Sequence, residues 1–589
     1  MDNHRAGHRA ARAHASPQPL HDGALTDAPW KNPPASPQQL RKAPRQRLRA
    51  HMALASKVKT LAPSALTLEK RAAAALAAVQ QQAWRADNTR TAVVLGGGLS
   101  GLALAWFLKN TARPSLLKVV VVEKSARPGG WVNSHKLQGH VLESGPRGVR
   151  PQAAGQETIA LAEKLGLEDH LIAADPAAKY RYIYLDGKLE RLPTGLIDLY
   201  TSKTTKWLKP VLQFEREKIA GSGRDESIAE FVKRRFNGRV LDEFVDPLIS
   251  GIYAGDPAEL SVQSCLKRLV TLEQQHGSVV QGLMNENLPW PLGQGRVGGE
   301  GESLLLDRGP PSSKITQKFG KDALVSFSGG MSTLTDALAE ELETVGGARD
   351  GDGGVLYDTE ATSLDFSLGD KVGVTLSDGS TIDADHVFCA LPGAPAASLL
   401  KPHSGMLSDE ISGIPYAPVA LVTMAWPKDV LPDHLVGFGH LVPFKEEQEV
   451  LGMTWDSCTF PQQVPNGKGK GSAGRGNPTR LTVFIGGVRR ADGLRAMAAG
   501  GVEDIGAVAR RTVAAHLGIS DVPSVCEVHY MPEAIPQYNV GHNERITRVE
   551  RLTAQLDPRL TMSGSLLYGV ACNDIVAQAR QTAIKATFR

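Results

Sequence analysis

The chain alternates between short, wholly apolar runs and longer segments with helical spacing. Thr91-Ala92-Val93-Val94-Leu95 is a β-branched run with no polar interruption, the pattern of a strand buried on both faces. Leu102 to Lys109 follows with Leu102, Leu104, Ala105, Phe107 and Leu108 available for packing, and reads as a helix. Lys118-Val119-Val120-Val121-Val122-Glu123 is a second buried strand that ends in an acid. Strand, helix and strand in this order predict a βαβ unit and a parallel sheet. Further on, Asp225 to Phe236 has helical spacing. Val372 to Leu376 and Thr381-Ile382, joined through Asp378-Gly379, read as a hairpin. Val387 to Leu391, followed by Pro392, reads as a strand and turn, and residues 405–540 carry alternating strand patterns. Trp290 to Lys321, Gly346 to Gly354 and Gly467 to Gly476 are rich in Gly or Pro and read as loops. No internal repeat at solenoid periods is visible.

Composition narrows the class. The 589 residues are 42% hydrophobic and 22% charged, with a net charge of +4, so two or three packed units are expected and a nucleic-acid binder is not. Five cysteines, an odd number with no CxxC, argue against a disulfide framework or a cysteine metal site, and no metal is expected. No apolar run is long enough to span a bilayer. The charge is uneven. Residues 1–90 hold 15 Lys and Arg against 5 Asp and Glu, so the rest of the chain carries a net −6. Pro17 to Pro44 has no lasting period and reads as disordered, while Lys70 to Val79 reads as helix. A basic, acid-poor, helix-capable leader has the character of an organelle transit peptide.

The chemistry starts between the first strand and helix. Gly96, Gly98 and Gly101 form GxGxxG within Gly96-Gly97-Gly98-Leu99-Ser100-Gly101, directly after a strand and before a helix. The first glycine permits the tight turn, the second lets a pyrophosphate approach the backbone, and the third lets helix and strand pack closely. The helix N-terminus, with Leu99 and Ser100 in its first turn, offers N–H groups to the phosphates. Glu123, 22 residues beyond Gly101, can accept ribose hydroxyls. This predicts a dinucleotide site made of Gly96, Gly97, Gly98, Leu99, Ser100, Gly101 and Glu123.

The residues after Glu123, Lys124-Ser125-Ala126-Arg127-Pro128-Gly129-Gly130-Trp131, resemble the extension found in FAD-dependent amine oxidases and their relatives. Arg127 could offset diphosphate charge. Val141 to Gly148 (VLESGPRG), Asp246 to Asp256 (DPLISGIYAGD), Gly437 to Pro443 (GFGHLVP), Leu451 to Ser457 with Phe460-Pro461, Ala534 to Tyr538 with Gly541-His542, and Tyr568 to Asp574 (YGVACND) together resemble the protoporphyrinogen IX oxidase family, colinearly from Thr91 to Lys585. The resemblance implies an α/β fold. A Rossmann-like FAD-binding domain of the amine oxidase type would carry a mixed-sheet substrate domain and a helical membrane-associated lobe. It divides the chain into a leader (1–90), three FAD-domain segments (91–175, 322–404 and 541–589), the helical lobe (176–300), a loop insertion (301–321) and the substrate domain (405–540).

By the same resemblance, non-covalent FAD is held by the glycine loop, Glu123, Lys124, Arg127, Gly130, Trp131, Gly145, Pro146, Arg147, Gly148, Val570, Ala571 and Cys572. Cys572 stands where the family usually has a small aliphatic residue and reads as a packing residue. The implied reaction is the six-electron oxidation of protoporphyrinogen IX to protoporphyrin IX with molecular oxygen, releasing hydrogen peroxide. The flavin carries the chemistry, so no catalytic side chain is assigned. Substrate contacts fall on Arg181 for a propionate, Phe438 and Leu441 for the walls of the slot, and Gly251 near the reacting face. His440 is read as satisfying local hydrogen bonds. Peripheral contact with the mitochondrial inner membrane is implied, and a homodimer is left open. The rivals are another FAD oxidase of this fold, acting on coproporphyrinogen, an amine or a polyene, and a non-catalytic carrier of the same architecture.

Overall fold

Alternate residues of the valine-rich strands serve two different cores. The computed structural model describes residues 90–111, 117–194, 207–215, 223–285, 314–319, 324–343, 353–467 and 471–586. Arg90–Leu95 lies parallel to Leu117–Val122 on one side and to His386–Cys389 on the other. Leu560–Met562 and Gly353–Leu356 complete a five-stranded, wholly parallel sheet. Ala92, Val94, Val119 and Val121 point to one face, where the helices Leu99–Thr111, Ser332–Glu343 and Cys572–Lys585 pack. Val93, Leu95, Val120 and Val122 point to the other, against a three-stranded antiparallel sheet and the helices Gly393–Leu400 and Gly405–Ser412. Burial on both faces explains why these strands are uninterrupted Val runs.

A second sheet of seven strands forms the other half. From one edge to the other it runs Val525–Pro536, Tyr416–Ala425, Arg480–Gly486, Val450–Thr454, Gly439–Leu441, Arg181–Leu185 and Lys188–Arg191. It is mixed: Arg181–Leu185 is parallel to Gly439–Leu441 and the other pairs are antiparallel. Residue parity again sorts its faces. Tyr182, Tyr184, Met453, Val422, Val483 and Ile485 pack beneath the helix Val502–Leu517. Their neighbours Arg181, Leu441, Thr454, Thr482 and Phe484 take the opposite face.

Several expectations shift. The segment expected as a helical lobe from residue 176 opens with two strands of the large sheet; its described helices begin at Leu208–Glu215 and run on through Ile228–Arg235, Asp246–Tyr253, Lys267–His276 and Val279–Asn285. The lobe is knit by charge at its centre: Glu215 and Arg235, both fully buried, pair with each other, and Glu215 also accepts from Ser278 at 2.6 Å. Part of the expected 290–321 loop is the helix Lys314–Phe319, and Gly353-Gly354 belong to the edge strand of the parallel sheet rather than to a loop. Gly353, at a φ of +98° that favours glycine, can close against Val119, where an added Cβ would come within 2.4 Å of the Val119 carbonyl. The leader and its helical stretch lie outside the described residues. Among the described residues no helix is long and apolar enough to cross a membrane.

Candidate active site

The glycine turn leaves the carboxyl end of Arg90–Leu95, where the parallel strands finish and where ligands bind in open α/β sheets. Gly96 has φ +101°, a conformation that favours glycine. A Cβ at Gly101 would lie 1.9 Å from the Gly96 carbonyl oxygen, so only hydrogen lets the helix start so close to the strand. At Gly98 the reverse holds: the nearest atom to an added Cβ is the Gly130 Cα at 3.9 Å, leaving open space beside the helix N-terminus. The N–H groups of Ser100 and Gly101 donate to no group among the described residues. Leu99 is buried, and the first helical bond runs from Leu102 N–H to the Gly98 carbonyl. Open space, unspent donors and the positive end of a 13-residue helix fit a diphosphate.

Glu123 closes the turn from the neighbouring strand. One carboxylate oxygen accepts from Gly97 N–H at 2.6 Å, the other from the Ser125 N–H and hydroxyl at 2.8 and 2.6 Å. Arg127 donates to the carbonyls of Pro128, Gly130 and Val132, so it stiffens the Gly129-Gly130 turn; its charge is spent on that turn rather than aimed freely at phosphates. Lys124 pairs with Glu360 at 3.0 Å on the surface, and Trp131 is 49% exposed. The Trp131 carbonyl sits under Gly145, where an added Cβ would come within 2.0 Å, and Gly148 faces the Val325 carbonyl at 2.7 Å in the same sense. Gly145 and Gly148 thus fit this hairpin, with Pro146 between them, onto the domain.

Arg147 was expected on the cofactor. The structure turns it to the large sheet: its guanidinium lies 3.2 Å from Asp456 and 4.8 Å from the Phe484 ring centroid. Asp456 also accepts from Thr454 and Thr482 and faces Arg480 at 3.9 Å. Beneath this group Glu143 accepts from Ser134 and Met331, and burial lifts its carboxyl to about 7. Asp456 and Glu143 were not foreseen; a lone acid after an apolar strand carries no signal of the partner it will meet.

The last helix begins at Cys572 with Val570 and Ala571 just before it and packs against the helix Leu99–Thr111. Cys572 itself is in the core, and burial pushes its thiol up to about 12, so it is an inert packing residue. Asn573, in the first turn, accepts from Thr158 at 2.8 Å and donates to the Arg150 carbonyl at 2.9 Å.

The four substrate candidates converge on the inner face of the large sheet. Arg181 stands opposite Gly439 in the ladder, and its guanidinium lies 5.2 Å from the Phe438 ring centroid. Two residues along, Leu441 meets Gly251 of the helix Asp246–Tyr253 so closely that a Cβ there would approach Leu441 Cδ2 to 2.5 Å. The Arg181 guanidinium has no hydrogen-bond or ion-pair partner among the described residues. Burial, with a smaller contribution from the nearby Arg150, lowers its pKa to about 10, still a cation at neutral pH. His440 points the other way, into the core. It meets His516 at 2.9 Å, and His516 meets Gln448 at 2.8 Å, so His440 is part of a buried chain rather than the slot. Burial drives His440 down to about 3 and His516 to about 4, which keeps both neutral. Among the described residues no group of His, Cys, Asp and Glu is placed to hold a metal ion.

Comparison with known proteins agrees with this geometry. The model of the flavin containing amine oxidoreductases matches residues 99–583. Protoporphyrinogen oxidases of Macaca fascicularis and Homo sapiens are each 35% identical, over 84% of this chain and 98% of theirs. A crystal structure from Exiguobacterium sp. 255-15 superposes with a TM-score of 0.67 at 20% identity, covering 84% of this chain and 98% of that one, a likeness of fold. The chain therefore belongs to the flavin-containing amine oxidoreductases, which implies a flavin cofactor, with the protoporphyrinogen oxidases as its relatives.

Proposed function

We propose that this chain oxidises protoporphyrinogen IX to protoporphyrin IX in haem biosynthesis, using non-covalently bound FAD and molecular oxygen and releasing hydrogen peroxide. The observation that carries the reading is the Arg181 guanidinium, without a hydrogen-bond or ion-pair partner among the described residues, beside the Phe438 ring on the sheet face that also carries Leu441. A flat, greasy plate with carboxylate arms fits that combination, whereas the ammonium of an amine substrate would be repelled by the same guanidinium. The chemistry a bound flavin supplies is acceptance of a hydride and delivery of the electrons to oxygen. The protein's part is to bind and shield. Gly96 to Gly101, Glu123, Gly130 and the Val570–Cys572 turn would hold the dinucleotide. Leu441 against Gly251 would set the plate's depth, and Arg181 would fix its rotation by holding a propionate bidentately. Among the described residues of this face no side chain is assigned as a general base: His440 lies on the far face of its strand.

The test is porphyrin fluorescence in air with protoporphyrinogen IX, against a Gly98→Trp control that corrects for spontaneous oxidation. Porphyrin formation that needs the open glycine loop, with one peroxide for each electron pair removed, supports the reading; a rate equal to the control with flavin bound refutes it. Peripheral attachment to the mitochondrial inner membrane belongs to the same proposal. Its support is the apolar substrate and the exposure of Phe214 (59%) and Met284 (50%) on lobe helices. Release of the protein by salt alone would count against it.

A further inference from the structure

The helix that brings Gly251 against Leu441 is gripped from outside the slot. Asp246–Tyr253 follows directly on Leu241–Val245, a π-helical turn, a geometry that is rare in proteins and frequent at functional sites. It ends at Ala254, a non-glycine residue at φ +50°, whose carbonyl accepts from Val488 N–H at 2.8 Å. With an irregular turn at each end, the seat of this helix depends on contacts made to it by other elements. The chief of these is Arg489. Its Nη2 donates to Ser250 Oγ at 2.7 Å and lies 2.5 Å from Asp246 Oδ1. The second carboxylate oxygen of Asp246 accepts from Phe444 N–H at 3.0 Å, and the Arg489 guanidinium lies 4.0 Å from the Phe444 ring centroid. Asp246 and Ser250 are both buried.

These contacts tie together the pieces that meet at the slot. Ser250 directly precedes Gly251, Phe444 comes three residues after Leu441, and Arg489 leaves the end of the strand Arg480–Gly486. Ile249 and Ser250 are buried while Gly251 is exposed, so the helix turns its open side toward Leu441. A buried ion pair adds little net stability, because desolvation offsets its attraction; its best-attested use is to fix the register of the elements it joins. We propose that Arg489 and Asp246, acting through Ser250, are positioning residues that set the clearance between Gly251 and Leu441, and with it how closely a bound tetrapyrrole is held at reacting distance. This rests on the reading above and deepens it. When the latch is loosened the plate keeps its contact area, so binding changes little. It spends less time in the reacting geometry, so the loss falls on kcat. Arg490 provides the contrast: it stacks on the same Phe444 ring at 4.3 Å but makes no ion pair or hydrogen bond to Asp246 or Ser250.

The experiment is a double-mutant cycle on the flavin-loaded protein, read by porphyrin fluorescence in air with protoporphyrinogen IX and by thermal melts. Ser250→Ala removes the hydroxyl beside Gly251 at a helix position that favours alanine. It should keep the wild-type Tm and flavin content and lower kcat about fivefold, the size of one hydrogen bond, with KM little changed. Arg489→Lys, which keeps the charge and loses the fork, should lower kcat in the same sense, and Arg490→Met should leave kcat at the wild-type value. Gly251→Ala alone drives its methyl onto Leu441. Once Ser250→Ala has freed the helix to give way, adding Gly251→Ala should cost much less, so the loss in the double variant is smaller than the product of the single losses. Losses that multiply overturn the proposal, and so does a Ser250→Ala protein with wild-type kcat. An Arg490→Met protein that loses as much kcat as Arg489→Lys also overturns it, because the effect would then be general packing around Phe444. A wild type that does not oxidise protoporphyrinogen IX overturns the porphyrin reading and this proposal with it, whereas wild-type turnover with a multiplicative cycle overturns this proposal alone.

Discussion

Two glycines three residues apart, with different roles, offer a clean separation of fold from cofactor. Gly101 and Gly98 lie in one turn, yet a methyl added to each meets different surroundings. At Gly101 it would sit 1.9 Å from the Gly96 carbonyl oxygen and 3.3 Å from Val94 Cγ1, where real Cβ contacts do not fall below 3.0 Å. Both obstacles are rigid: a backbone carbonyl and a side chain of the central strand. The helix must lift off the sheet, and overpacking of this kind costs roughly 1–3 kcal/mol or more. At Gly98 the same methyl has nothing within 3.9 Å and its φ is not in the left-handed region. Gly98→Ala should leave the stability of the flavin-free protein within about 1 kcal/mol of wild type. The methyl would instead stand in the space that admits the diphosphate, and a loss of about 3 kcal/mol there is more than a hundredfold in flavin affinity. The assay is a pair of thermal melts, with and without added FAD. Wild type should gain stability with FAD by linkage. Gly98→Ala should melt like flavin-free wild type in both, and Gly101→Ala should melt lower in both. A Gly98→Ala protein that still gains stability from FAD as wild type does would refute the assignment of the cradle.

Other outcomes follow from single contacts. Arg181→Met removes a cation and no internal partner, so it should raise KM about tenfold in steady-state assays while folding normally. Gly251→Ala pushes on the movable end of Leu441 at 2.5 Å and gains helix propensity, so it should fold at least as well yet turn over substrate more slowly. Cys572 should resist alkylation at pH 8, since burial holds its thiol near 12, and acid precipitation should release the flavin from it intact. Denaturant melts should show the buried His440–His516 pair as a pH-sensitive element. Both are depressed in the folded state, to about 3 and about 4, so the unfolded chain binds more protons. Their contribution is complete above the unfolded value near 6.5 and falls as pH drops below it, by about 2 kcal/mol at pH 5 for the first proton. His516→Gln should flatten that slope between pH 6.5 and 5; an unchanged slope would rule the pair out as its source.

What could be read from the chain depended on how local its signal was. The βαβ unit was legible because strand burial, glycine turn and helix all fall within Arg90–Val122, each dictated by neighbours in sequence. Glu123 was legible for the same reason, though its carboxylate proves to brace the glycine turn as well as face the site. Arg147 was legible as important but its protein partners were not, because Asp456 and Phe484 arrive from more than three hundred residues away and only the assembled sheets bring them near. Arg127 carried a motif but not its hydrogen bonds, which depend on how the Gly129-Gly130 turn folds back. The strands Arg181–Leu185 and Lys188–Arg191 were absorbed into an expected helical lobe because they join the large sheet only at its far edge.

The parity of the large sheet links these pieces. Arg181 and Leu441 lie on the inner face because they are in register with Gly439 and Ile183, while Tyr182 and His440 between them lie on the outer. A one-residue slip of Arg181–Leu185 against Gly439–Leu441 would bury the guanidinium under Val502–Leu517 and place a tyrosine in the slot. Register is therefore part of the site. It is held by Phe438 N–H to the Tyr180 carbonyl at 2.9 Å, by Trp455 N–H to the Phe438 carbonyl at 2.9 Å, and by Gly439, whose φ of +139° brings it so near Met453 that an added Cβ would lie 2.1 Å from its carbonyl. On the same face Asp456, itself held by the Thr454 and Thr482 hydroxyls, pairs with Arg147, whereas the Arg181 guanidinium has no hydrogen-bond or ion-pair partner among the described residues. A face whose central cation is neutralised from within and whose outlying Arg181 is left unpaired has its anion-binding capacity beside Phe438. That placement makes carboxylate arms, rather than the ring they carry, the feature by which this surface would choose its ligand.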